Sequence, residues 1–137
     1  VARGLVGQII ARYEAKGLTL VALELRTISS ELAAQHYEEH VGRPYYPGLV
    51  EFVTSGPLVA MVLEGERAVG AVRLLNGSTD SAVAAPGTIR GDFAQQTGRN
   101  IIHGSDSSES AKREIELFFN DYELQNWSRS LDPWYLE

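Results

Sequence analysis

Leu5, Val6, Ile9, Ile10 and Tyr13 recur at the spacing that gathers them on one side of a helix, and Lys16-Gly17 supplies its stop. From Leu18 to Arg26 the apolar residues run almost without break until alternation begins at Glu24, which predicts a strand. Thr27 to Glu31 reads as a turn, with Ser29 or Ser30 as N-cap of a helix running to about His40. Leu32, Ala33, His36 and Tyr37 can share one side of that helix. The Pro/Gly-rich segment 41–48 connects to a short helix, about Leu49 to Thr54. The unbroken apolar run from Pro57 to Glu64 predicts a buried strand, ended by Gly65. Ala68, Val69, Ala71, Val72 and Leu75 then mark a helix over Glu66 to Leu75. Residues 76–91 show no period and are rich in Gly, Ser, Thr, Ala and Pro, the composition of a functional or interface loop. Asn100, Ile101 and Ile102 read as the end of a short strand. A helix over Ser108 to Phe119 follows, with Ile115, Phe118 and Phe119 on its apolar side. The tail 120–137 keeps Tyr122, Trp127, Trp134 and Tyr135, too aromatic for a disordered segment, and is expected to pack on its own domain or on a neighbouring subunit.

A chain of 137 residues with this pattern is most simply one domain, long enough to bury a core. Twelve basic against eighteen acidic side chains leave a formal charge of −6, which argues against a broad basic surface for nucleic acid but permits a small basic pocket for phosphates. With no cysteine there is neither a disulfide framework nor a thiolate metal site. No apolar run approaches a membrane span and no signal peptide is visible in a chain that opens at Val1; the cytoplasm is the expected compartment, with an organelle, addressed by a leader ahead of Val1, as the alternative. His36 and His40 are i,i+4 neighbours. With no third ligand in sequence, they read as ordinary helix surface rather than a metal pair.

The candidate chemistry lies at His103. It sits between the short strand and a helix start offering Ser105, Asp106, Ser107 and Ser108 as caps and Glu109 in the first turn. Such a junction points backbone N–H groups at a bound anion, and neutral imidazole is a good nucleophile for a phosphoryl group. On spacing alone, a hydrogen-bonded structural histidine competes with this reading. Tyr45 and Tyr46 either pack the loop or offer a face for a base to stack on. The wording of the whole block goes further. His103-Gly104-Ser105-Asp106, Glu109-Ser110-Ala111 and Arg113-Glu114-Ile115 closely resemble the active-site signature of nucleoside diphosphate kinases. Pro86 to Phe93 and Thr54-Ser55-Gly56-Pro57 resemble that family too.

The resemblance implies an α/β (α+β) fold of the ferredoxin-like βαββαβ type, with an antiparallel four-stranded sheet and helices on its faces. It also implies a strand and a Lys-Pro-Asp-Gly turn ahead of the first helix. The chain opens at Val1 without them, and the intact protein is expected to carry them. The implied activity is transfer of the terminal phosphate of a nucleoside triphosphate to a nucleoside diphosphate, by a ping-pong route through a phosphohistidine at His103. Glu114 would orient the imidazole, with Ser105 supporting it. Arg73, Thr79 and Arg90 would hold phosphate oxygens, Asn100 the sugar hydroxyl or leaving oxygen, and Tyr37 would lie near the phosphates. Tyr45, where the family has Phe, would stack on the base, beside Leu49 and Thr97. Mg²⁺ would arrive on the nucleotide rather than in a protein-built metal site. The tail and its Trp134-Tyr135-Leu136-Glu137 ending look like eukaryotic-type members, which implies a homo-hexamer, although Ser81 replaces a proline common in a loop that supports subunit contacts. The alternative is a catalytically impaired nucleotide-binding or oligomeric interaction protein of the same fold.

Overall fold

The computed structural model describes residues 1–137. Helix α1 (Val6–Ala15) leads to strand β1 (Thr19–Arg26), helix α2 (Ser30–His36), helix α3 (Tyr46–Thr54), strand β2 (Leu58–Glu64) and helix α4 (Ala68–Asn76). A five-residue helix α5 (Ile89–Phe93) and helix α6 (Ser108–Phe119) complete the larger elements, with single 3₁₀ turns between them and in the tail. Local chemistry accounts for most boundaries. Ser29, Thr88 and Ser107 cap α2, α5 and α6 by accepting from Leu32, Gly91 and Ser110 backbone N–H groups. Pro47 opens α3, where its missing N–H costs nothing, so that helix begins before the expected Leu49.

The sheet is antiparallel and has two strands, β1 and β2, against the four that the family resemblance implies. Asn100–Ile102 is not a strand. No strand lies alongside it, Ile101 takes a left-handed φ of 72°, and the Ile102 N–H bonds back to the Asn100 carbonyl at 2.8 Å. For the same reason β2 is less buried than its apolar run predicts: only Val62 is fully buried. The register of β1 shifts between Leu20 and Ala22. The Leu20 and Val21 carbonyls there accept from Trp127 Nε1 at 3.0 Å and from the Gln125 N–H at 2.9 Å.

Two apolar clusters flank this frame. Ile9, Tyr13, Leu18 and Ile89 form one, joined by Val72, Leu75, Ile101 and Ile102 from the side that carries the catalytic candidates. Val21, Ala22, Val62 and Phe119 form the other, which seats α6 on the sheet. The tail packs on its own chain. Arg129 donates to the carbonyls of Gly17 at 2.7 Å, Glu14 at 3.2 Å and Leu18 at 3.4 Å, while Asp132 holds its Nε at 2.8 Å. Trp134 stays 85% exposed. No helix is long and apolar enough to cross a membrane.

Candidate active site

His103 follows Ile102 in the connection to α6, and its side chain is half-exposed. The Ser107 cap starts α6 four residues on, and one further turn and a half brings Glu114 back beneath the ring. Nε2 of His103 lies 2.8 Å from Glu114 Oε1, and Ser105 Oγ donates to Glu114 Oε2. Burial pushes the Glu114 carboxyl up, but the bonds from His103 and Ser105 outweigh it, and the group sits below its ordinary range. It is therefore an acceptor at neutral pH, and in the neutral imidazole it favours the tautomer with the proton on Nε2. The lone pair is left on Nδ1, the ring atom free to act as nucleophile.

The glycine after His103 is needed for close approach. A Cβ on Gly104 would lie 2.7 Å from Asn76 Nδ2 and 3.4 Å from Val72 Cγ1. Asn76 is 1% exposed and accepts a hydrogen bond from Tyr13, so it has no room to yield. Arg73, on the last turn of α4, donates to the Gly104 carbonyl at 3.1 Å, which sets its guanidinium beside the histidine loop.

Arg90 is placed less openly than a phosphate arm. It is 6% exposed, and its Nη1, Nη2 and Nε donate to the carbonyls of Gly77 at 2.9 Å, Ile102 at 2.5 Å and Asn100 at 3.3 Å. Burial, and Arg73 nearby, pull its pKa down. Two of its five N–H donors thus hold the backbone just before His103 and a third holds the end of α4, which leaves two unengaged. Asn100 Nδ2 reaches the Thr79 carbonyl at 3.4 Å and Thr97 Oγ1 reaches Asp80 Oδ1 at 3.2 Å, so residues 79–80 and 97–100 are tied together.

The base-side candidates form a separate wall. Tyr45 accepts or donates through its hydroxyl to His40 Nδ1 at 2.8 Å and remains 55% exposed at the start of α3, with Leu49 one turn on. Arg99 lies over the Phe52 ring at 3.9 Å and, with Gly48, Glu51 and Ser55, lines a cleft beside this wall. Tyr37 packs against His36 with ring centroids 4.5 Å apart. Burial and the nearby Glu114 charge raise its pKa.

His36 corrects the sequence expectation. It is not helix surface: its ring is buried and stands edge-on to His103 at 4.8 Å and to Phe118 at 5.2 Å. The signal available in sequence was its place on the apolar side of α2 with Ala33, a residue that is itself fully buried. Arg113 was also missed as a link. It donates to the Gln35 carbonyl at 3.2 Å and reaches Glu38 at 3.4 Å, fastening α6 to α2.

The nucleoside diphosphate kinase family model matches residues 1–124. The chain belongs to the nucleoside diphosphate kinase family. It is 58% identical over 137 residues to a nucleoside diphosphate kinase of Acaryochloris marina, covering 100% of this chain and 92% of the relative. A nucleoside diphosphate kinase of Nocardioides is 63% identical over 119 residues, covering 87% and 88% of the two chains. The solved structure of a halophilic nucleoside diphosphate kinase from Halobacterium salinarum in complex with CDP superposes with a TM-score of 0.95 at 50% identity, over 99% of this chain and 91% of that one. The Acaryochloris match covers the whole of this chain, the tail included. The α+β fold and the phosphotransferase activity follow from this membership.

Proposed function

We propose that phosphoryl transfer in this chain runs through Nδ1 of His103. The observation that carries the reading is the Glu114 carboxylate on Nε2, which leaves Nδ1 as the unprotonated nitrogen. In the first half-reaction Nδ1 forms a bond to the terminal phosphorus of a nucleoside triphosphate as the bond to the bridging oxygen breaks, and the diphosphate leaves. In the second, a diphosphate oxygen takes the phosphoryl group back from Nδ1. Positive charge developing on the imidazole is held by Glu114, itself held by Ser105. Arg73 and the two free donors of Arg90 stabilise the phosphoryl oxygens, with Thr79, Asn100 and Tyr37 around the phosphates and sugar. Tyr45 stacks on the base beside Leu49 and Thr97, a contact that reads no base edge and so tolerates any base.

Mg²⁺ fits this scheme as a passenger. Glu114, the carboxylate nearest His103, is engaged by His103 and Ser105, and Arg73 and Arg90 are cationic. That donor set is no cage for a hard cation, which the nucleotide phosphates and water would hold. When bound, it neutralises phosphate charge. The impaired-protein reading is not favoured, because the His103–Glu114–Ser105 set is assembled.

The same reading extends to the fold and the assembly. The four-stranded ferredoxin-like sheet is kept as the proposed form of the intact fold; β2, whose apolar run keeps only Val62 fully buried, leaves an edge for at least one strand beyond the two. A homo-oligomer, read as a hexamer, is supported by the apolar outer positions Leu23 and Leu25 of β1 and by exposed Trp134, and the cytoplasm is kept as its proposed compartment. The test of the mechanism is turnover of ATP with a different diphosphate acceptor. His103→Gln should abolish it while circular dichroism stays unchanged. Turnover within a factor of a few of wild type would overturn the reading.

A further inference from the structure

His36 has no task in that mechanism, yet it is placed as if for one. Its side chain is 6% exposed, and its Nδ1 has no hydrogen-bond partner. That nitrogen faces the Glu114 carboxylate at 4.0 Å from Oε1, too far for a hydrogen bond, while His103 Nε2 approaches the same oxygen at 2.8 Å. The donor atoms of His36, His103 and Glu114 all lie within 4.8 Å of one another. A buried polar atom without a partner calls for a water or an ion. Tetrahedral Zn²⁺ holds nitrogen and oxygen donors at about 2.0–2.2 Å, which sets them roughly 3.3–3.6 Å apart. The two rings' distances to Glu114 Oε1 bracket that spacing, and the two imidazole donors, no more than 4.8 Å apart, would draw together to close the set. Two imidazoles and one carboxylate suit a borderline ion such as Zn²⁺ and not Mg²⁺, which takes oxygen ligands. Half-exposed His103 leaves a way in and room for water as a fourth ligand.

We propose that His36, His103 and Glu114 form an inhibitory binding site for a transition-metal dication of the Zn²⁺ class. Metal and phosphoryl group exclude one another through the two nitrogens of one ring. An ion on Nε2 moves the remaining ring proton to Nδ1, which removes the nucleophile. A phosphoryl group on Nδ1 keeps the proton on Nε2, which removes the ligand. Each therefore weakens the other by the same factor. This exclusion rests on the phosphotransfer reading above; the site itself rests only on the three side chains.

The test is calorimetric titration of the full, nucleotide-free chain with ZnCl₂ alone. One ion per chain is expected. His36→Phe keeps a ring against Tyr37, His103 and Phe118 but removes the donor, and should weaken Zn²⁺ binding by at least about 10–100-fold. His40→Ala, which alters the remaining histidine, should bind Zn²⁺ as wild type does. Absence of stoichiometric binding, or equal binding by folded His36→Phe, overturns the site. If His36→Phe does not fold, Glu114→Gln and His103→Ala take its place, and each should show the same loss. In a second arm, Mg·ATP is added to the chain with and without saturating Zn²⁺, and phosphorylation is followed by mass. Phosphorylation only without Zn²⁺ supports the exclusion. Equal phosphorylation in both overturns the inhibitory role. No phosphorylation in either, with Zn²⁺ bound, overturns the phosphotransfer reading and leaves the metal site standing.

Discussion

Arg90→Ala tests how the fold is coupled to the chemistry. The 6% exposed guanidinium donates to three carbonyls, Gly77 just after α4 and Asn100 and Ile102 just before His103. Hydrogen bonds from a charged donor contribute about 1.5–3 kcal/mol each, and carbonyls left unpaired add their own desolvation cost. One of the three is long at 3.3 Å, so two bonds of full strength set the scale, and the loss comes to about 3–5 kcal/mol. In urea, with a slope of about 2 kcal/mol per M, the unfolding midpoint should fall by roughly 2 M. Arg90→Lys keeps one charge but not the planar fork, and should recover less than half of that shift. Arg73→Ala is the contrast: its bond to Gly104 is exposed, so the midpoint should move by less than about 0.5 M while phosphorylation slows. The assay is urea unfolding by fluorescence beside the rate of phosphorylation by Mg·ATP. An Arg90→Ala midpoint within about 0.3 M of wild type would refute the strap role.

Burial pushes the His36 imidazole down from 6.5 to about 4, helped by His103 and opposed by Glu114, with Arg113 and His40 also facing it. A base with a depressed folded pKa binds fewer protons folded than unfolded, so its stability is whole above about 6.5 and is lost as pH falls toward about 4. The ceiling is about 3 kcal/mol. His36→Phe should flatten that stretch of the stability–pH curve, and an unchanged slope counts against the assignment. Gly104→Ala must displace either Asn76 or the histidine loop, so phosphorylation should fall at least about tenfold with the chain still folded; wild-type rates would mean the contact yields easily. Arg129→Ala removes the tail's clamp on Gly17, Glu14 and Leu18 and should make cleavage within residues 120–137 faster under limited proteolysis; an unchanged digestion pattern contradicts that role.

Much of the chain was legible because its signals are local. The periodicity of Leu5 to Tyr13, the apolar runs around β1 and β2, and the Ser107 cap of α6 each act within a few residues, and the structure follows them. What sequence could not supply was partnership at long range. Ile101-Ile102 has strand composition but no strand beside it, so it turns instead. Residues 76–91 lack a period, yet Thr88 caps a helix there because Arg90 and Ile89 are both buried beneath it. His36 looked like helix surface because its burial depends on α6 arriving from more than seventy residues away, fastened by Arg113. The His103 block gave the family on wording alone. Only the geometry says which nitrogen Glu114 occupies.

Intact mass spectrometry at neutral pH, before and after brief incubation with Mg·ATP, tests the central claim most directly. The account predicts a gain of one phosphoryl group, labile to acid, absent in His103→Gln, and lost again when a nucleoside diphosphate is added. A chain that gains no mass, or gains it equally in His103→Gln, would contradict a phosphohistidine at His103.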